Sequence, residues 1–189
     1  MFKLKRTRVI AALMLSLGLI LSACGGSGDS DGDGQKIAAI FSGPTTDADY
    51  NALGLLALNE LEKNGAEVSY SESVPVPDIE RVLREYVADG YNIIWTHGSQ
   101  FYEATAKVAS ENPDVNFVGE FDGEPEGQPD NVWVIDRNFH TVFYPIGTLA
   151  ANLTKSGKVG YLGGLSLPFS FSEVHAVRQA ITDSGKDAK

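Results

Sequence analysis

The side chains able to do chemistry in this 189-residue chain are few and widely spaced. His97-Gly98-Ser99 places a base and a hydroxyl near each other after a strand pattern. Such placement does not present the two groups in triad geometry, so it is not read as a nucleophile with its base. There is no Gly-x-Ser-x-Gly elbow, no phosphate-binding P-loop and no pair of metal-ligand histidines. Cys24 is the only cysteine, so an internal disulfide is impossible. These features describe a protein that is not an enzyme and needs no cofactor. What remains is binding chemistry. Asp47, Tyr50 and Asn51 open a helical pattern, His97 ends an apolar run, and Glu120 and Asp122 flank the end of another. Carboxylates and an amide can exchange hydrogen bonds with a solute. A phenol ring can stack on a flat one, worth roughly 1–3 kcal/mol by analogy with base stacking.

Each of these residues has a plainer role open to it. Asp is favoured at helix N-caps, so Asp47 serves as a cap or as a ligand contact, or as both. Tyr50 can be half-buried packing. His97 outranks His140 and His175 as a contact because of its place at a strand end, with loop structure as the alternative. Trp95 and Trp133 sit in strand patterns and are assigned to the core.

The elements that must position these groups alternate. Short apolar runs at 37–41, 67–71, 91–95, 115–119, 131–135 and 158–162 read as six strands. The first and third have no polar alternation, as expected of strands covered on both faces. Between the strands lie apolar stripes at helical spacing. They are Leu53, Leu56, Ala57 and Leu61; Ile79, Val82, Leu83, Tyr86 and Val87; and Phe101, Ala104, Thr105, Val108 and Ala109. Phe139, Val142, Phe143, Ile146 and Ala150 form another, with Pro145 inside it marking a kink or a start. A last helix opens near Phe171. This rhythm predicts an α/β fold: a parallel, Rossmann-like sheet with helices on both faces and right-handed crossovers. Ligands of such sheets meet the loops at the carboxyl ends of the strands, which makes residues 42–51 a candidate binding surface.

The first 23 residues stand apart. Lys3, Lys5, Arg6 and Arg8 precede an apolar run over 9–21 that is too short to span a bilayer comfortably, which reads as a signal peptide. Residues 24–35, rich in Gly, Ser and Asp, read as a flexible tether. Their acidic run opens like a calcium loop, but Ile40 stands where the twelfth-position acid belongs. Loss of residues 1–23 removes four of the 15 basic residues and no acidic one, leaving 11 against 25 and a net charge of −14. That balance argues against nucleic acid as a partner.

Leu21-Ser22-Ala23-Cys24 resembles the lipobox of bacterial lipoproteins, which implies acyl modification of Cys24 and a lipid anchor. Further motifs follow in order: Gly43-x-x-x-Asp47-x-x-Tyr50-Asn51, Asp89-Gly90-Tyr91-Asn92-Ile93-Ile94, Gly98-x-x-Phe101-x-x-Ala104, Asn112-Pro113-Asp114-Val115-x-Phe117, and Lys158-Val159-Gly160-Tyr161-Leu162-Gly163-Gly164. Together they resemble the basic membrane protein family of bacterial lipoproteins, the solute-binding components of ABC importers with a type 1 periplasmic-binding fold. The resemblance implies an extracytoplasmic protein at the cell membrane that passes a small ligand, such as a purine nucleoside, to a permease. A surface sensor or adhesion lipoprotein on the same fold is the alternative. It also implies that Asp47, Tyr50, Asn51 and one of Glu120 and Asp122 meet the ligand. Phe139 departs from the acidic residue common in the family at that place. Family members have two lobes. Here residues 36–155 would be the first, and residues 156–189 only the first strand and helix of the second, as in a truncated chain.

Overall fold

The computed structural model describes residues 34–188. The signal segment, Cys24, the calcium-like run and most of the tether lie outside them. Five strands alternate with helices: β1 (Lys36–Phe41), α1 (Tyr50–Lys63), β2 (Glu67–Ser71), α2 (Ile79–Ala88), β3 (Ile93–His97), α3 (Tyr102–Glu111), β4 (Asn116–Glu120) and β5 (Val132–Ile135). Two further helices follow, α4 (Phe139–Leu153) and α5 (Pro168–Asp183). The strands form one all-parallel sheet in the order β2-β1-β3-β4-β5.

The run Ile37-Ala38-Ala39-Ile40-Phe41 is buried throughout because β1 lies inside the sheet with side chains packed on both faces. Successive residues point to opposite faces. Ala38 and Ile40 join Ile94, Phe117 and Val132 under α2 and α3, where Ile79, Leu83, Phe101 and Val108 pack. Ile37, Ala39 and Phe41 join Leu58 of α1, with Leu55 and Trp95 at the margin. The stripes expected for α2 and α3 are the ones that face the sheet.

The stripe expected for α1 is not. Leu53 and Leu56 are 58% and 59% exposed, and Asn51, Gly54 and Leu58 are buried instead. The reason lies at Gly54. A Cβ built there would stand 2.6 Å from Phe41 Cε1 and 3.2 Å from the His97 ring. The helix therefore lies close on the sheet through its glycine, and the larger side chains turn outward.

Two other expectations change. Residues 158–162 form no strand; a strand needs a hydrogen-bonding neighbour, and none lies beside this segment among the described residues. Trp133 is 67% exposed rather than in the core, because β5 is the sheet edge. Pro145 does not start α4; as its seventh residue it lies inside the helix, as the stripe implied, and leaves the Thr141 carbonyl without its usual partner. Helices α4 and α5 pack mainly on each other, brought close at Gly147, where a Cβ would meet the Val177 Cα at 2.8 Å. No helix among the described residues is long and apolar enough to cross a membrane.

Candidate functional site

In the order β2-β1-β3-β4-β5 the chain leaves β1 toward one side and returns to β3 on the other. The crevice outside the carboxyl ends of β1 and β3 is where open α/β sheets take ligands. A cavity of about 240 Å³ lies at this edge. Ser42 follows β1, Ser99 and Gln100 follow β3, Glu120 and Asp122 lie at and beyond the end of β4, and Ile135 and Arg137 do the same for β5. Tyr50, the first residue of α1, forms one wall, and Phe121, Phe139, Leu165 and Phe169 complete the lining.

Glu120 is the hub beneath this cavity, 5% exposed. Its Oε2 accepts a 2.7 Å hydrogen bond from the Tyr50 hydroxyl, and its Oε1 accepts one of 2.8 Å from Arg137 Nη2. His97 Nδ1 lies 2.8 Å from the same Oε1, an ion-pair distance when the ring is protonated, without hydrogen-bond alignment. The carbonyl of Tyr50 can only accept, so His97 Nε2, 2.9 Å away, is the donor there. Burial pushes the Glu120 carboxyl up, but contact with His97, the Tyr50 hydroxyl and Arg137 outweighs it and holds the group below its ordinary value. Burial, and then the charge of Glu120, push the Tyr50 phenol well above the usual tyrosine range.

Of the expected contacts, Tyr50 and Asp122 line the cavity, and Asp47, Asn51 and His97 do not. His97 sits behind Tyr50, ring stacked on ring with centroids 3.9 Å apart. Asp47 caps α1 from two residues before its N-cap. Its carboxylate accepts hydrogen bonds from the backbone N–H of Asn51 (3.0 Å) and Ala52 (2.9 Å) and from Asn51 Nδ2 (2.7 Å). The N–H groups of Ala52 and Asn51 lower its pKa to about 2. Asn51 is consumed by this cap on its nitrogen side, while its Oδ1 is buried without a partner. Asp122 lines the cavity, and its Oδ1 is likewise buried with no hydrogen-bond partner among the described residues, whereas Glu120 is engaged by its neighbours.

Ser99, Gln100 and Arg137 join the site without having been picked out as contacts, and Ser42 joins it from the start of the expected binding surface. Their shared signal was position, one to three residues beyond the end of a strand. Among the described residues no group of three or more His, Cys, Asp or Glu side chains converges to hold a metal ion.

A parallel sheet with a mixed apolar and hydrogen-bonding cavity at its switch point is the α/β architecture in which open sheets take ligands. The chain belongs to the Bmp family of PnrA-like ABC transporter substrate-binding proteins, whose pattern matches residues 34–189. It is 27% identical over 161 residues to basic membrane protein A1 of Borrelia garinii subsp. bavariensis, covering 78% of this chain and 44% of that protein. It is 28% identical over 137 residues to a purine-binding protein of Brucella abortus, covering 70% of this chain and 38% of the other. Among solved structures, an ABC transporter solute-binding protein from Conexibacter woesei superposes with a TM-score of 0.57 at 31% identity, over 82% of this chain and 52% of its own. The chain thus spans less than half the length of these two curated relatives.

Proposed function

We propose that this chain supplies one lobe of a lipid-anchored, extracytoplasmic solute-binding protein that hands a small molecule of the purine nucleoside class to an ABC permease. The observation that carries the reading is the cavity at the strand tips. It combines aromatic walls (Tyr50, Phe139, Phe169) with a buried carboxylate oxygen of Asp122 that has no hydrogen-bond partner among the described residues. Aromatic walls suit a flat base, and an unpaired acceptor suits a ligand's hydroxyl or amino donors. The purine-binding relative from Brucella abortus supports this ligand class. A single lobe encloses only part of a solute. Full affinity in this class of architecture comes from closure of a second lobe, with the ligand selecting the closed state. Cys24, after its lipobox-like run, would hold the protein at the outer face of the membrane.

Calorimetric titration with purine nucleosides, free sugars and amino acids tests the ligand class. Nucleoside binding that is lost in Asp122→Ala supports it; binding of sugars or amino acids alone overturns it. Metabolic labelling with palmitate tests the anchor. Label and membrane association should both vanish in Cys24→Ser, and an unlabelled wild-type protein rules the anchor out.

A further inference from the structure

Tyr50 has no free face. The His97 imidazole stacks on it at 3.9 Å between centroids with planes only 19° apart. The Arg137 guanidinium carbon lies over the same ring at 4.6 Å. An imidazole at stacking distance leaves no room for a guanidinium on its own side, so the two groups take opposite faces. The guanidinium also lies 5.9 Å from the centroid of Phe139, which is itself tilted against Phe169. Arg137 therefore covers the wall of the cavity that a flat ligand would use, with aromatic rings on either hand. A guanidinium is planar and delocalised and stacks on aromatic faces much as a heteroaromatic ring does.

We infer that Arg137 is a displaceable plug. In the ligand-free protein it fills the slot beside Tyr50, and a planar heteroaromatic ring enters by exchanging with it. The inference rests on the base-binding reading above and adds the residue that competes with the base. Three features fit exchange rather than a fixed wall. The Arg137 side chain is about one-third exposed (32%), so it borders solvent into which it can swing. Its hydrogen-bond partner among the described residues, Glu120, keeps the Tyr50 hydroxyl and the His97 contact after Arg137 leaves. The third is His97, held beneath the ring by the Tyr50 carbonyl, so the far face keeps its support while the cavity face is vacated. A plug lowers apparent affinity by the fraction of molecules in which the slot is filled. It also keeps the Tyr50 face dry and its orientation fixed until a ring arrives.

The test is an NMR titration of the full chain with inosine, for the wild type, Arg137→Ala and Arg137→Lys, with thermal melts alongside. A plug predicts that Arg137→Ala binds inosine roughly three- to fivefold tighter than the wild type, the scale of one lost cation–π contact. It also predicts that the Arg137 side-chain protons of the wild type, shifted by the Tyr50 ring current, return toward random-coil positions at saturation. If Arg137→Ala does not fold, Arg137→Lys and the wild-type resonances carry the test, since lysine keeps a charge for Glu120 but not the planar stack. Weaker inosine binding in both folded variants makes Arg137 a direct ligand contact and overturns the plug while sparing the base-binding reading. So do Arg137 resonances that stay in place at saturation. Silence toward inosine, adenosine and guanosine in every variant overturns the base-binding reading itself, and the plug with it.

Discussion

Tyr50 and Glu120, seventy positions apart, are joined by a 2.7 Å hydrogen bond from phenol to carboxylate. That bond ties the first residue of α1 to the last residue of β4 across the mouth of the crevice. Because Glu120 also receives Arg137 and His97, one carboxylate sets the relative positions of groups from α1, β3, β4 and the segment after β5.

Replacing Glu120 with Gln keeps the shape but removes the charge that Arg137 and His97 face. Breaking a largely buried charge cluster this way should cost about 1–3 kcal/mol, less than a fully buried pair because Arg137 is part-exposed. Tm should fall by several degrees. The Tyr50 phenol, relieved of a neighbouring negative charge, should ionise at lower pH than in the wild type, read by ultraviolet absorbance titration. An unchanged Tyr50 titration would show that the carboxylate does not govern the phenol.

Acid should act on the start of α1 through Asp47. Its folded pKa is depressed, so the stability it contributes is complete above the ordinary carboxylate value of 3.8 and disappears as pH falls through about 2. Glu120, also depressed, adds to the same acid limb. Asp47→Ala should therefore melt below the wild type at neutral pH, and the gap should narrow as pH falls from the ordinary value toward about 2. A gap independent of pH in thermal melts would mean that the cap does not depend on the charge.

Gly54 is the point at which α1 touches the sheet. In Gly54→Ala the new methyl meets Phe41 Cε1 at 2.6 Å and the His97 ring at 3.2 Å. Phe41 is fully buried and has little room to give. Overpacking of this kind typically costs about 1–3 kcal/mol. Here it outweighs the gain in helix propensity of about 1 kcal/mol. Denaturant unfolding should show the loss, and because His97 is displaced the Tyr50 ring should shift as well, visible in its NMR resonances. A stabilised variant would place α1 farther from the sheet.

The sheet was legible in the sequence because strands covered on both faces have no polar residues to hide, as the run Ile37–Phe41 illustrates. The α2 stripe was legible for the same reason in helical form. The burial face of α1 was not. Leucines at 53, 56 and 61 make the stronger apolar stripe, but close approach to β1 selects the glycine face, and that depends on what lies opposite. Likewise the run at 158–162 has strand composition, but a strand exists only with a neighbour, which no local pattern supplies. At the site, Tyr50 and the pair Glu120 and Asp122 were pointed to by the family resemblance, and all three line the cavity. The central part taken by Glu120, and the stacking of Arg137 on Tyr50, arise from groups brought together over long sequence separations.

The helix pair α4 and α5 offers a test of how far the cavity depends on its outer wall. At Gly147 a Cβ would meet Val177 Cα at 2.8 Å, the Val177 carbonyl at 2.9 Å and Ala180 Cβ at 3.0 Å. Two of these atoms are backbone and cannot rotate away, so Gly147→Val must push the helices apart. These helices pack mostly on each other, and a hydrogen bond of 2.7 Å from the Tyr144 hydroxyl to Asp183 links them as well. The damage should therefore be local. Amide hydrogen exchange should speed up through α5 while β1 and β3 keep their protection. Leu165, just before α5, and Phe169, at its start, should loosen with it, so ligand affinity should fall although Tyr50, Glu120 and Asp122 are untouched. If exchange in the sheet rises as much as in α5, the pair is part of one cooperative unit with the sheet rather than a separable wall.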